Sequence, residues 1–308
     1  MEPHVPVMKS EVLDIVGAHI PEDVDGFFLD ATLGGGGHSA AILEKFGNLK
    51  IIGFDRDETA RETAGRKLGE FGERARIIAA NFAEIEERAA ELMDLAGGPF
   101  IGALFDLGVS NMQLTAPERG FSYQEDGPLD MRMDSGEDSL TAADILRESN
   151  IRELTRIFRD YGEERHAFRI ASAIVRSRDE GNMPETTGEL GALIRRVLPA
   201  PVQRKMGGHP ARRVFQALRI VVNSELHVIP AGLRGALEII KNEGVIIVIS
   251  YHSLEDRIVK GLFRRWAGEG AGALMTRRPL EPSGEEIMEN RKSRSAKLRA
   301  FTARRRAG

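Results

Sequence analysis

The stretch Phe27-Phe28-Leu29-Asp30-Ala31-Thr32-Leu33-Gly34-Gly35-Gly36-Gly37-His38-Ser39-Ala40-Ala41-Ile42-Leu43 runs from apolar residues through four glycines into a second apolar run. It predicts a short strand, a glycine loop and the first turn of a helix. Glycine reaches positive φ freely and lets a ligand lie directly against the backbone. Next, Ile51-Ile52-Gly53-Phe54-Asp55 predicts a second strand ending in an acid, 18 residues beyond Gly37. A glycine loop after strand one and a carboxylate after strand two suit a nucleotide-like cofactor whose ribose must be gripped.

The details narrow the cofactor. A phosphate-binding P-loop ends in Gly-Lys-Ser/Thr, whereas this loop ends Gly37-His38-Ser39 and offers no lysine. A dinucleotide fingerprint read from Gly34 finds Gly36 in place but Ser39 at the third glycine. Asp30, just before the loop, is unfavourable beside a pyrophosphate. It suits a cofactor with a cationic end, and S-adenosylmethionine carries an ammonium, a sulfonium, a ribose diol and an adenine. The loop glycines Gly35, Gly36 and Gly37, with Asp30 and Asp55, are therefore candidate cofactor contacts.

The 308 residues allow one large or two modest domains. A hydrophobic content of 42% and a charged content of 29% are ordinary for a globular protein. The absence of cysteine excludes disulfides, cysteine-based zinc and thiol nucleophiles, and no metal is assigned. No secretion-signal pattern opens the chain, and the longest strongly apolar run, 245–249, is too short to span a bilayer. These features predict a cytoplasmic protein with no membrane partner; neither a monomer nor a homodimer is favoured.

Charge is uneven. Against a chain total of −4, residues 290–308 carry +8 from Arg291, Lys292, Arg294, Lys297, Arg299, Arg304, Arg305 and Arg306, leaving −12 elsewhere. A basic end on an acidic body fits an edge that meets phosphates. Ala296-Lys297-Leu298-Arg299-Ala300-Phe301 alternates as a half-buried edge strand would. Arg304, Arg305 and Arg306 are candidate RNA contacts; a solvated tail is the plainer alternative.

Strands predicted at 27–30, 50–55, 76–79 and 101–107, with helices at 58–69 and 82–95, imply a parallel sheet covered on both faces. From 140 to 198 only amphipathic helices are predicted, at 150–161, 163–179 and 187–198. Helices at 211–226 and 231–241 and a strand at 244–250 follow. The fold class is α/β: a Rossmann-like sheet, residues 1–108 and 212–308, carrying a smaller all-helical insertion, residues 109–211.

Ligands of open α/β sheets bind beyond the carboxyl ends of the strands. That places Asp106, Ser110 and Gln113 near the glycine loop. The last long strand ends Ser250-Tyr251-His252-Ser253-Leu254-Glu255-Asp256-Arg257. Ser253 is read as a helix N-cap with Asp256 at its third position.

These residues resemble the RsmH (MraW) family of bacterial ribosomal RNA methyltransferases. The resemblance rests on His4-Val5-Pro6-Val7-Met8, Asp30 to Ser39, Phe54-Asp55-Arg56-Asp57 and Phe105-Asp106-Leu107-Gly108-Val109-Ser110. It continues through Glu118-Arg119-Gly120-Phe121-Ser122, Gly127 to Asp134, Tyr161 to Arg165, His209 to Ile220, Val222 to Leu226 and Ser250 to Lys260. The segments lie in the family's order and span nearly the whole chain. Ala31, where glycine is common, and Asn111-Met112 are minor departures.

The resemblance implies methyl transfer from S-adenosylmethionine to the exocyclic N4 of a cytidine in the decoding region of 16S ribosomal RNA. It implies a methyltransferase-type Rossmann sheet with a helical insertion used for substrate recognition, and a substrate within the small ribosomal subunit. It carries cofactor contacts over to Gly36, Gly37, His38, Asp55, Phe82, Asp106 and Gln113, with Phe82 against adenine. Asp106 is the first candidate for accepting the N4 proton, with a cofactor-orienting role as its equal; Ser250, His252 and Asn223 are alternates. Tyr251 is a candidate to stack on the flipped cytosine or, equally, a packed ring. Two other classes are weighed: an NAD oxidoreductase, disfavoured by Ser39, and a non-catalytic RNA-binding factor, disfavoured by the intact loop and acids.

Overall fold

The computed structural model describes residues 5–21, 23–134 and 139–304. The chain divides into two compact units, Met1–Gly108 with Leu226–Gly308, and Val109–Glu225.

The first unit is built on seven strands: β1 Gly26–Asp30, β2 Leu49–Asp55, β3 Ala75–Ala79, β4 Phe100–Asp106, β5 Ile240–Ser250, β6 Gly272–Leu274 and β7 Lys297–Ala303. Their order is β3-β2-β1-β4-β5-β7-β6. The first five pair in parallel; β7 runs antiparallel to both β5 and β6. Successive strand side chains point to opposite faces, and the sequence fills both. Leu29, Phe54, Phe105 and Ile246 enter one apolar cluster; Phe28, Ile51, Leu104 and Ile247 enter the other. That double burial is why the strands read as continuous apolar runs.

The strand order reverses between β1 and β4, the place where an open α/β sheet leaves a crevice beyond its carboxyl ends. Asp30, Asp55 and Asp106 are the last residues of β1, β2 and β4.

Several expectations need correction. The predicted helix 82–95 is two pieces, a 3-10 turn Phe82–Ile85 capped by Asn81 and a helix Ala89–Ala96, broken at Arg88. The last strand, β7, is not a half-buried edge. It lies between β5 and β6, and Leu298, Arg299, Ala300 and Phe301 are all buried. The three-residue β6 was too short to read from pattern. Pro230 sits inside a helix, Glu225–Ile239, that was expected to begin after it. One lost backbone donor is offset there by burial of Ile229 and Leu233.

The second unit packs the helices Ala142–Glu148, Ile151–Asp160, Ala167–Asp179, Thr187–Val197, Ala200–Lys205 and Arg212–Val222. Reciprocal caps start three of them, Thr141 with Asp144, Asn150 with Glu153 and Thr186 with Glu189. Their apolar faces meet in one core that includes Leu146, Phe158, Ile174, Ile194 and Leu218. The helix Arg212–Val222 belongs to this core through Val214, Phe215 and Leu218, so this unit ends at Glu225, later than residue 211. Among the described residues no helix is long and apolar enough to cross a membrane.

Candidate active site

The glycine loop bends through Gly34 and Gly36, both at positive φ, and Gly36 caps the helix Gly37–Lys45. A Cβ at Gly36 would meet the Leu68 side chain at 3.2 Å on a backbone at positive φ, so conformation and space both favour glycine there. Asp55 holds this loop from the neighbouring strand. Its Oδ2 accepts from the Gly34 N–H at 2.8 Å and its Oδ1 from the Asp57 N–H at 2.8 Å. Burial pushes the Asp55 carboxyl up, and the two amides oppose that shift. Each carboxylate oxygen has a second lone-pair site, which suits it to ribose hydroxyls.

Asp30 lies beneath the loop rather than facing a ligand. It is 1% exposed, accepts from the Ser39 hydroxyl at 2.6 Å and from the Thr32 N–H at 3.3 Å. Burial pushes its carboxyl up to about 6. Its geometry is that of a loop-shaping acid.

Asp106 is the partly open counterpart, one strand away. Its N–H donates to Thr32 Oγ1 at 2.6 Å, tying the end of β4 to the loop. Its Oδ1 accepts from the Tyr251 hydroxyl at 2.7 Å, and its Oδ2 lies 3.6 Å from His38 Nε2. The Asp106 side chain keeps 25% of its surface open. Neither buried ring nitrogen of His38 has a hydrogen-bond partner among the described residues. Two orphaned nitrogens at the loop mark a place where an incoming polar group would be satisfied.

The Tyr251 ring lies against Gly108, where a Cβ would approach it to 2.9 Å. Its hydroxyl is taken by Asp106, and burial pushes its ionisation well above the ordinary phenol value. The structure thus favours the packed, acid-holding alternative over a free stacking platform. Ser250 is buried, and its hydroxyl donates to the Lys297 carbonyl at 3.3 Å.

The helix Ser253–Gly268 is capped by His252 rather than Ser253. Glu255, not Asp256, is the reciprocal partner: its Oε2 accepts from the N–H groups of Tyr251 at 2.8 Å and His252 at 3.2 Å. His252 Nδ1 accepts from the Glu255 N–H at 3.4 Å, which spends it on the cap. Glu255, 2% exposed, was missed; its place three residues after His252 was the available signal. Glu286 was missed too, accepting from the Met8 N–H at 2.7 Å and so anchoring the Pro6-Val7-Met8 segment. No local pattern announces a contact between residues 278 positions apart.

Phe82 packs edge-on against Phe105, centroids 5.7 Å apart, and is partly buried. In the second unit, Gln113 Oε1 accepts from the Ser110 N–H at 3.0 Å as half of a reciprocal cap. Asn223 is consumed by structure: it donates to the Met131 and Arg219 carbonyls and accepts from the Met133 N–H at 2.8 Å.

Of the basic tail, Arg299 turns inward. It is 7% exposed and makes two contacts to Asp256, the shorter at 2.6 Å. Arg304 follows β7 with its N–H on the Ala271 carbonyl at 2.8 Å. Arg305 and Arg306 lie outside the described residues.

A model of the MraW methylase family matches residues 1–304. The chain is 46% identical to a protein of Heliobacterium modesticaldum named ribosomal RNA small subunit methyltransferase H, over 96% of this chain and 97% of that protein. It is 44% identical to proteins of the same name from Symbiobacterium thermophilum and Carboxydothermus hydrogenoformans, over 96% of this chain and 95% and 96% of theirs. Among solved structures, an rRNA methylase from Streptococcus thermophilus aligns over 98% of this chain and all of its own. At 11% identity and a TM-score of 0.44, that is a distant likeness.

Proposed function

The chain belongs to the MraW methylase family, and on that premise we propose that it methylates the exocyclic N4 of a cytidine in the decoding region of 16S ribosomal RNA. It uses S-adenosylmethionine, acts in the cytoplasm and takes its RNA within the small ribosomal subunit. The helical unit, Val109–Glu225, serves substrate recognition. The observation that carries this reading is the row of strand-terminal acids beside the glycine loop, with a quarter of the Asp106 side-chain surface open at the point of strand-order reversal.

The residues present fit the cofactor. Asp55 keeps acceptor capacity at the loop, and His38 has two unsatisfied nitrogens there. When bound, S-adenosylmethionine supplies a methyl group activated by its sulfonium. Gly35, Gly36 and Gly37 allow close backbone approach, Asp55 accepts from the ribose, and Phe82 adds a contact implied by family membership. Asp30 acts one step back, by bonding Ser39 and Thr32.

The cytidine amine is a poor nucleophile because its lone pair is delocalised into the ring. An acceptor pulling on one N4 proton localises that pair, and the amine then exchanges that proton for the methyl group. Asp106 Oδ2 is assigned this role: Tyr251 already occupies Oδ1, whereas Oδ2 has only His38, at 3.6 Å. Placement of the two reactants supplies much of the remaining acceleration.

Incubation with labelled S-adenosylmethionine and small ribosomal subunits, then digestion to nucleosides, should return label in N4-methylcytidine. Label elsewhere, or none, overturns the assignment. Asp106→Asn should cut turnover by about a hundredfold or more while holding cofactor affinity within a few-fold. Equal losses would make Asp106 a cofactor ligand.

A further inference from the structure

A cleft of about 310 Å³ opens on the sheet unit at the carboxyl end of β5. None of its walls comes from the glycine loop or from β1, β2 or β4. Tyr251, His252 and Ser253 line one part, Glu281, Pro282 and Ile287 a second, and residues 294–297 a third. Its volume is at the small end of the range for ligand sites, and it is amphipathic. Pro282 and Ile287 offer apolar surface; Arg294 and Lys297 offer two cations.

The two cations are the informative feature. Arg294 is exposed and Lys297 half-buried, and neither side chain has an ion-pair or hydrogen-bond partner among the described residues. Two residues on, Arg299 is neutralised by Asp256. The lining has one acid exposed to solvent, Glu281, and His252 is engaged with Glu255. The net positive lining selects for an anion. Tyr251 is both a wall of the cleft and the donor to Asp106, so an occupant lies one aromatic ring away from the carboxylate assigned to the N4 proton.

We propose that this cleft binds the single-stranded RNA next to the target cytidine, with a phosphodiester on Arg294 and Lys297 and the attached sugar or base against Pro282 and Ile287. This rests on the RNA-methyltransferase reading and adds to it a subsite for a flanking nucleotide. Arginine and lysine on phosphate supply affinity and register rather than chemistry, so their loss should appear in substrate binding alone.

The test uses the full chain carrying Arg294→Ala and Lys297→Ala, with small ribosomal subunits as methyl acceptor over a series of salt concentrations. KM should rise roughly tenfold, and the slope of log KM against log salt should fall by about 1.4, some 0.7 for each lost contact. Turnover and S-adenosylmethionine affinity should stay within about twofold of the parent, since neither residue touches the reacting atoms. Exchanging the cations, Arg294→Lys with Lys297→Arg, should preserve the slope. An unchanged KM and slope overturns the proposal, as does an equal fall in turnover. A raised KM with an unchanged slope also overturns it, and points to a protein surface as the occupant. If the parent chain fails to methylate subunits, it is the preceding reading that fails. Filter binding of a single-stranded RNA oligonucleotide then still reads the slope difference.

Discussion

The Tyr251 hydroxyl donates to Asp106 Oδ1 at 2.7 Å, joining the carboxyl ends of the neighbouring strands β5 and β4. Burial pushes the phenol's ionisation well above its ordinary value, so it remains a proton donor throughout the neutral range. The bond fixes one oxygen of the carboxylate and leaves the other 3.6 Å from His38 Nε2. Tyr251 is thus a positioning residue for Asp106.

Tyr251→Phe deletes that bond while keeping the ring against Gly108. Hydrogen bonds to charged groups are worth roughly 1.5–3 kcal/mol, so turnover should fall about tenfold or more. Cofactor affinity, measured by calorimetry, should hardly change. A variant with parental turnover would show that Asp106 needs no orientation from β5.

Asp55→Ala should weaken S-adenosylmethionine binding by about tenfold or more, since a charge-assisted contact to the ribose is lost. The structure adds a second effect. The Gly34 and Asp57 N–H groups lose their acceptor, so the loop should also loosen, read as faster amide exchange at Gly34. Unchanged calorimetric affinity would remove Asp55 from the site.

Much of this site was legible because its parts are local. The glycine loop, the acids ending β1, β2 and β4, and the helical segment all announce themselves within short windows. What escaped reading is which of its possible partners each group meets in the fold. Asp30 and Asp55 look alike as strand-terminal acids, yet one is covered by Ser39 and Thr32 while the other reaches the loop backbone. Alternation around Arg299 suggests an edge strand, but β6 covers that edge and Asp256 satisfies the guanidinium. Likewise Ser253 is the better capping residue by type, and His252 takes the position because Glu255 can reach back to two amides.

Asp30 gives a pH signature. Burial raises its carboxyl from about 3.9 in the unfolded chain to about 6 in the fold. Between those values the folded state holds the proton and the unfolded state does not, so Asp30 makes stability fall as pH rises from about 4 to 6. The loss is up to about 3 kcal/mol and is constant above that window. Asp30→Asn should remove this component, so that its urea midpoint gains on the parent's as pH rises through the window. Parallel midpoints for the two proteins across pH 4–7 would sink the assignment.

The basic residues near the C-terminus should separate into two kinds. Arg299 and Asp256 keep only 8% and 14% of their side-chain surface open, and breaking a buried pair costs about 3–5 kcal/mol because a charge is stranded. Arg299→Met should therefore lower the urea midpoint strongly and leave the salt dependence of RNA binding unchanged. Replacing Arg304, Arg305 and Arg306 together with alanine should do the reverse. If all three reach phosphates, the slope against log salt falls by about 2, near 0.7 per contact on single strands, with stability and cofactor affinity unaltered. A solvated tail without phosphate contacts gives the same slope before and after. That result would confine RNA contact on the sheet unit to residues before 304, while the methyl-transfer assignment would stand.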